Sequence, residues 1–533
     1  MSTDPVDLFG ENSAQAPRKK KASSKPVFKK YEQHQVVLLP PSLEELIPAK
    51  HLVRTVDAAV DNLNIEPLLA SYKGGGTSSF HPLMMLKVLV YAYLSKTYTS
   101  RRIAKALRED INYMWLSGMQ QPDFRTLNLF RAGRLKETID DVFGSMVMFL
   151  HEGKYINLHD YFVDGTKHEA NANRYSHVWS KNTKRHKERV QEKIRDLIKE
   201  INDANAQEDQ RYADHDLPEM GEEATITSEK LKEQVQKLNS ILQKVSPPKR
   251  VKKALAELER EHLPKLRQYE DQERLLEGRN SYSKTDPGAT FFRLKSGELR
   301  PCYNVIIGTE NQFLINYTID QTASETNRFT DHMRKFRRLS GHWPKAVIGD
   351  PAYGSEENYH FLRQNEITPY VRYSTYSQDI RPQKYLSAYD RRNFIYHPAV
   401  DSYECPEGRL LPFKDTVVRT ARGYTASHRV YQSRDCTGCP VASLCKKGRG
   451  PRSIQRNDQL ERFRAVARAH LASDQGRVLY SRRGTEVESV FGDTKHNQGF
   501  RRFNLRGVPK VNTEMGLLAI AHNIKKISSW GVS

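Results

Sequence analysis

Three carboxylates in this sequence stand in settings that suit metal-dependent chemistry. Asp164 and Asp350 each follow a short apolar run, so we expect each to emerge from the end of a buried strand, at the crevice where open sheets bind ligands. Glu488 lies in a helical pattern with a buried apolar stripe, and Lys495 follows two turns later on one side of it. Magnesium prefers hard oxygen ligands, and two such ions can clamp the attacking and leaving oxygens of a phosphodiester. Together with a basic surround, the three acids predict a divalent-metal site.

Each acid taken alone also fits an ordinary structural role. Asp164 precedes a glycine, as in many turns, Asp350 precedes a proline that can start a turn, and Glu488 fits a solvated helix face. The combination favours a site over three separate structural acids. Three arginines that follow the glutamate could hold phosphates: Arg501, Arg502 and Arg506.

The charge of the whole chain points to a polyanionic partner. Its 533 residues include 85 Lys and Arg against 64 Asp and Glu, a formal net charge of +21. Because this charge is clustered, nucleic acid is favoured over a general solubility charge. An apolar content of 38% with 28% charged residues excludes a membrane protein, and the longest apolar run, 82–94, contains Lys87 and is too short to span a bilayer. No hydrophobic segment follows Met1, which predicts a cytoplasmic protein.

Residues 1–40 form a basic segment that we expect to be disordered. Alanine, serine, proline and lysine dominate it, and such a composition cannot bury enough apolar surface to fold alone. The segment fits a nuclear address, a phosphate-binding arm or a plain solvated tail. Its cations have no acid among them: Arg18, Lys19, Lys20, Lys21, Lys25, Lys29 and Lys30.

Residues 41–150 have helical patterns throughout. Two short helices are predicted before Asp123, which should cap a third helix with exposed basic and amide side chains. Short helices and a tight turn before such a helix indicate a helix-turn-helix, and an ordinary helical bundle fits equally well. The candidate DNA contacts are Arg125, Asn128 and Arg134.

Strand patterns begin after this helical region, with a first strand over 155–163. Apolar runs at 303–308 and 313–319 flank a short polar turn and predict a hairpin. These strands, with the helices and strands predicted further on, indicate a mixed sheet covered by helices. The later elements are a helix over 325–339, a strand over 346–350, a helix over 355–364 and a strand over 367–373.

Two stretches interrupt the sheet patterns. Residues 181–275 are charged and helical, and apolar residues at heptad spacing predict helices packed as an antiparallel hairpin. This hairpin fits an arm for DNA or a partner protomer and, equally, a solvated insertion. The second stretch, 377–469, is a cysteine-rich insertion.

Four thiols in that second stretch predict a structural zinc site. One Cys-x-x-Cys plus two further cysteines, in a segment punctuated by glycine and proline, can supply four soft ligands, and free thiols or a redox pair are the alternatives. Cys302 lies in a strand pattern and should be a core residue. Five cysteines in 533 residues exclude a secreted disulfide framework. The candidate zinc ligands are Cys405, Cys436, Cys439 and Cys445.

An ordered set of short motifs also runs through the chain. It includes Phe124-Arg125-Thr126, Asp164-Gly165-Thr166-Lys167, Ser283-Lys284-Thr285-Asp286-Pro287, Gly349-Asp350 with Tyr353-Gly354, Val487-Glu488 with Phe491-Gly492, and Gly499-Phe500-Arg501-Arg502-Phe503. No single motif is specific. As an ordered set, from about Leu43 to the C-terminus, they resemble the bacterial insertion-sequence transposases of the DDE type.

The resemblance implies an α/β fold with an RNase H-like mixed sheet and flanking helices. That catalytic domain would be built from 155–376 and 470–533 and interrupted by the helical-hairpin insertion at 181–275 and the Cys-rich insertion at 377–469. An N-terminal all-α DNA-binding domain would occupy 41–150, behind the basic tail of 1–40.

The resemblance also implies roles for particular residues. Asp164, Asp350 and Glu488 would be the triad that binds magnesium or manganese, and Lys495 matches a lysine of one related branch. That branch carries a tyrosine and an arginine before the glutamate, where this chain has serine and glycine. Three side chains near those positions lie in shifted register, so their roles stay open: Tyr480, Arg482 and Arg483.

The implied activity is transposition of the chain's own element. The protein would bind the terminal inverted repeats, cut with metal-activated water and join the freed 3′-hydroxyl to target DNA. Its partners would be double-stranded DNA and further copies of the chain, as a homodimer or higher oligomer on the bacterial nucleoid, with no membrane involved. Two rival functions are a relative that binds DNA without cutting it and a host nuclease that cuts without joining.

Overall fold

The structure, a computed structural model, describes residues 42–72, 79–209, 226–242, 249–294, 296–381, 389–421, 423–446 and 448–530. The predicted disordered tail, 1–40, lies outside the described residues. The chain divides into two units, Met1–Leu46 and Ile47–Ser533. Helix α1 (Leu43–Leu46) belongs to the first, and the elements below belong to the second.

The N-terminal part of the second unit is helical, as its patterns predict. Thr99 accepts a hydrogen bond that caps the helix Ser100–Glu109, and Asp123 Oδ1 accepts from the Thr126 N–H at 2.7 Å, which caps the helix Phe124–Leu129 as expected. A π-helical segment, Phe130–Arg134, joins α7 to the long helix α8. Among the described residues, no helix combines the length and apolar character needed to cross a membrane. The helices are α2 (Leu52–Asp61), α3 (Glu66–Ala70), α4 (Pro82–Leu94), α5 (Ser100–Glu109), α6 (Ile111–Leu116), α7 (Phe124–Leu129) and α8 (Leu135–Glu152).

The rest of the described chain contains both strands and helices. Up to the last strand of the main sheet, the elements are β1 (Asp160–Glu169), β2 (His177–Trp179), α9 (Ser180–Asp209), α10 (Ser228–Leu242), α11 (Lys249–Glu257), α12 (Leu263–Leu276), β3 (Ser281–Ser283), β4 (Thr290–Arg293), β5 (Leu299–Glu310), β6 (Phe313–Asp320), α13 (Phe329–Ser340), β7 (Ala346–Gly349), α14 (Glu356–Gln364) and β8 (Thr368–Val371). After it come α15 (Tyr376–Asp379), β9 (Ile395–His397), β10 (Ser402–Glu404), β11 (Leu410–Ala421), β12 (Tyr424–Gln432), α16 (Ala442–Cys445), β13 (Ser453–Arg456), α17 (Asp458–Ala472), α18 (Asp474–Arg483), α19 (Ser489–Gly492) and α20 (Val508–Ser529).

The main sheet is mixed, which confirms the predicted α/β class. Its strand order is β4-β5-β1-β7-β8. The sixth strand, β6, also pairs with β5, along residues 304–310, whereas β4 pairs with residues 299–302. Strand β5 runs antiparallel to β1 and β6, whereas β7 and β8 run parallel to β1. The β5–β6 hairpin is the predicted one, and its two turn residues, Asn311 and Gln312, have φ of 52° and 64°. Such left-handed turns match the twist of the strands they join.

The helices between β2 and β3 have a hydrophobic core of their own. Residues of the predicted heptad stripes, such as Ile194 and Leu231, are fully buried in it. Helices α9 to α12 occupy these residues, and a π-helical turn, Leu258–His262, joins α11 to α12. Val251, Leu258 and Leu266, which follow the predicted stripes in the chain, also belong to this core.

The cysteine-rich stretch forms a second sheet with the order β13-β12-β11-β10-β9. Its core is small, because the buried apolar side chains that cluster there are only Phe394, Leu411, Tyr431 and Ile454 among the described residues. Cys302, by contrast, is buried in β5 of the main sheet, as its strand pattern predicts.

Candidate active site

The register of two parallel strands places Asp164 and Asp350 side by side. In the β1–β7 pair, Val163 lies opposite Gly349, and the two aspartates are the next residues along. The sequence prediction that Asp164 ends its strand is wrong, since β1 continues to Glu169 by pairing with β5. It is only the parallel pairing with β7 that stops before the aspartates, and this opens a space between them.

One guanidinium occupies the space between the two aspartates. Arg483 Nη2 lies 2.9 Å from Asp164 Oδ2 and 3.9 Å from Asp350 Oδ2. Burial raises the pKa of Asp164 to about 6, against the opposing effect of Arg483, and the nearby Asp350 and Glu325 raise it further. Burial raises the pKa of Asp350 as well. Two carboxylates that converge on one cation in a partly buried position are a donor set that suits magnesium.

Glu488 lies on the helical segment that flanks these aspartates. This segment runs from α18 through a π-helical turn, Gly484–Glu488, into α19 and ends with a second π-helical turn, Asp493–Asn497. The Glu488 side chain is exposed, and its Oε2 lies 4.0 Å from where a Cβ on Gly484 would stand, so the carboxylate points back along the helix. Within the described part of the chain, no group of three or more His, Cys, Asp or Glu side chains is arranged to hold a metal ion. The structure therefore joins the two aspartates and leaves Glu488 on the neighbouring helix.

The π-helical turn changes the spacing between Arg483 and Glu488 along the helix, which a sequence pattern does not show. A regular helix brings residues four apart onto one face, whereas a π turn brings residues five apart together. Arg483 is five residues before Glu488, so the turn restores the alignment that an arginine four residues before the glutamate would have. Tyr480 is likewise one position before the serine that stands where the related branch has its tyrosine. The guanidinium carbon of Arg372 lies 3.9 Å from the centroid of the Tyr480 ring.

Lys495 reaches the strand that carries Asp164. Its Nζ donates to Thr166 Oγ1 and, at 2.9 Å, to the carbonyl of Lys167. The helical segment thus contacts β1 through Arg483 at one end and Lys495 at the other, with Glu488 between them.

Two of the three predicted arginines, Arg502 and Arg506, hold the loop that follows β1. Arg502 Nε donates to the carbonyl of Ala170 at 3.1 Å, and Arg506 Nε donates to that of Asn171 at 2.7 Å. Arg501 Nε bonds the carbonyl of Lys495 at 3.3 Å. All three side chains are exposed, so a role in holding phosphates stays a prediction.

The N-terminal candidates separate into two kinds. Arg125 and Asn128 are exposed on α7 and line a groove of about 870 Å³ that also contains Arg101 and Lys510. Arg134 is engaged within the protein, because its Nη1 donates to the carbonyl of Ser71 at 2.8 Å and its guanidinium lies 3.9 Å from the centroid of the Tyr72 ring.

The four predicted zinc ligands line one cavity of about 20 Å³, roughly the space of one water molecule. Two of the sulfurs accept backbone hydrogen bonds, Cys405 Sγ from Arg409 and Cys436 Sγ from Arg452, both at 3.3 Å. Burial, with the other three thiols nearby, raises the pKa of Cys445. The cavity brings the predicted set together without the arrangement of a bound metal.

One group at the aspartate pair has no signal in the sequence. Glu325 stands in the loop between β6 and α13, and its carboxylate contacts β1 so closely that a Cβ on Gly165 would lie 2.2 Å from its Cδ. Only tertiary packing brings it there, because no periodicity or motif marks this position.

Comparison with known protein families gives two matches. A family described as a transposase DDE domain matches residues 404–528, which include Glu488 and Lys495. A family described as a transposase domain (DUF772) matches residues 41–133, which include Arg125 and Asn128. No curated protein and no solved structure matched the chain. The two matches, one toward each end of the chain, confirm the resemblance to insertion-sequence transposases of the DDE type.

Proposed function

We propose that this protein binds the terminal inverted repeats of its insertion sequence, cleaves the DNA ends and joins them to target DNA by two-metal phosphodiester transfer. The observation that carries the proposal is the pairing of Asp164 with Asp350 around the guanidinium of Arg483, in a chain that matches transposase families toward both ends. The order β6-β5-β1-β7-β8, in which three antiparallel strands are followed by two that run parallel to β1, supports an RNase H-like arrangement of the sheet.

In this reaction the carboxylates would bind metal and the basic side chains would bind DNA. Asp164 and Asp350 would hold the divalent cations, magnesium or manganese, and Glu488 would complete the site from the adjacent helix. The metal ions, when bound, would polarise the scissile phosphate and activate the attacking oxygen. Lys495 and the arginines of the following loop would bind the DNA backbone and keep the cut end in line.

The proposal is tested with a DNA duplex that carries the element's end. We expect the full-length protein to nick this duplex and to join the end to a target plasmid with magnesium or manganese. Calcium should not replace them, because it tolerates looser coordination and aligns the attack poorly. Cleavage in the presence of chelator would contradict the metal mechanism, and cleavage without joining would identify a nuclease instead.

We propose that the groove beside α7 binds the inverted repeat. Arg125 and Asn128 face it from the helix, and Arg101 and Lys510 add positive charge. Arg134 would instead support this helix by bonding the chain near Ser71. The basic tail of 1–40 would add affinity without sequence preference, because lysines on phosphates carry little base information.

Arg125→Ala is expected to weaken the preference for element ends over random DNA by about 10- to 100-fold, if the side chain forms a bidentate base contact worth about 1–3 kcal/mol. Competition binding at fixed salt measures the ratio. The matched control is Arg274→Ala, which removes an arginine whose side chain is 79% exposed on α12. An unchanged ratio in Arg125→Ala would leave the end recognition to another surface.

We propose that the cysteine cavity holds a structural zinc ion. Four thiols around one small cavity are the ligands that zinc prefers, and a metal would replace the larger hydrophobic core that this sheet lacks. Protein purified without chelator should carry about one zinc per chain, and Cys436→Ser with Cys439→Ser should lose it. Cys302→Ala is the control, because that cysteine is buried elsewhere, in β5. Wild-type protein without zinc would make these four ordinary thiols.

A further inference from the structure

Glu325 is a third buried carboxylate beside the aspartate pair, and the proposed reaction does not use it. Its side chain is 10% exposed, and Lys167 Nζ lies 3.0 Å from its Oε1. The Tyr353 hydroxyl donates to its Oε2 at 3.0 Å. Lys167 belongs to the strand of Asp164, and Tyr353 belongs to the turn that begins at Asp350. Glu325 therefore connects the two elements that carry the aspartates.

The backbone around Glu325 is fixed to the same turn. Thr326 Oγ1 donates to the carbonyl of Ala352. Asn358 Nδ2 donates both to the carbonyl of Thr326 at 3.1 Å and to that of Tyr353 at 3.0 Å. On the other side, Gly165 leaves the space that the carboxylate fills. Contacts with the turn at Asp350 on one side and with β1 on the other thus fix the position of Glu325.

Glu325 and its partner Lys167 both act electrostatically on the aspartates. Lys167 is close enough to lower the pKa of Asp350, and Glu325 raises the pKa of both aspartates. A lysine has a long flexible stem, so an ammonium released from Glu325 could move to the aspartate pair. Arg483 already lies between those aspartates. With Lys167 added, a divalent cation would have two protein cations to displace instead of one.

We propose that Glu325 is a positioning residue that holds Lys167 away from Asp164 and Asp350, and so keeps the aspartates available to a divalent cation. This rests on the proposed function, because it presumes that the aspartates bind metal. Glu325 acts through Lys167 and does not itself touch the metal or the DNA.

The test is calorimetric titration of Mn²⁺ into the full-length protein without DNA. Glu325→Gln should weaken Mn²⁺ binding by about 10- to 100-fold, the range seen when groups that orient metal ligands are removed. Adding Lys167→Met to that variant should restore the affinity to near the wild-type value, since the competing ammonium is then gone. The matched control is Glu310→Gln, another buried glutamate, which accepts backbone hydrogen bonds from Asn157 and Leu158 away from the aspartates. It should lower the melting temperature and leave Mn²⁺ affinity unchanged.

Different results separate the two proposals. Wild-type affinity in Glu325→Gln would overturn the role of Glu325 and leave the proposed function intact. Weakened binding that Lys167→Met does not restore would also overturn it, because Glu325 would then act as a ligand or a structural group. A wild-type protein that binds no Mn²⁺ would contradict the proposed function itself, and this inference with it.

Discussion

Asp164→Asn and Asp350→Asn are each expected to reduce cleavage and joining of element ends by at least about 10³-fold, because a metal-bound transition state would lose several kcal/mol of stabilisation. Binding of the same DNA should change little, since affinity for DNA comes mainly from cations on other surfaces. Gel-based cleavage and binding assays on one substrate measure both. The matched control is Asp474→Asn, an aspartate whose side chain is 96% exposed on α18.

The pKa of Asp164 provides a check that such variants are folded. Its pKa in the folded protein, about 6, lies above its ordinary value of 3.8, so the charged form costs folding free energy. This cost is fully present above pH 6 and disappears as the pH falls below the pKa of the unfolded chain. Asp164→Asn should therefore melt no lower than the wild type at pH 8. Near wild-type cleavage in either aspartate variant would remove that residue from the metal site.

The aspartate pair could be predicted because its signal is local. Each aspartate follows an apolar run, and these runs form neighbouring parallel stretches whose pairing stops just before the two aspartates. The hairpin of β5 and β6 is local as well, because a two-residue turn between apolar runs fixes its register. Where periodicity and turn chemistry agree, the sequence was sufficient.

The rest of the site depends on features that a sequence pattern does not carry. A single extra residue in the π-helical turn moves Arg483 out of the expected register, although it returns the side chain to the expected face. Glu325 comes from a loop and meets Gly165 only through packing. Arg134 stacks on Tyr72, a contact between segments far apart in the chain. These contacts are tertiary, so local propensity gave no sign of them.

Two glutamates, Glu486 and Glu488, lie close together on one helical segment, so the third member of the proposed triad can be tested by comparing them. Glu486 is 4% exposed, pairs with Arg482 at 2.8 Å and accepts from the Gln312 N–H at 2.7 Å. Its carboxylate is thus occupied in joining the helix to the β5–β6 turn. Glu488 is exposed, on the same helical segment as Arg483 and Lys495.

Glu488→Gln is therefore expected to lose at least about 10²-fold in cleavage, which is about 3 kcal/mol of transition-state stabilisation, with a melting temperature close to that of the wild type. Glu486→Gln should do the reverse, because it weakens the hydrogen bonds of a buried carboxylate at a cost of about 1–3 kcal/mol in stability while sparing the chemistry. Thermal melts and cleavage assays on the two variants separate stability from catalysis. If Glu486→Gln abolished cleavage without lowering the melting temperature and Glu488→Gln stayed active, the third carboxylate would be Glu486. The Arg482 pair would then have to open for metal to bind, since a carboxylate held by a guanidinium and a backbone N–H has little capacity left for a metal ion.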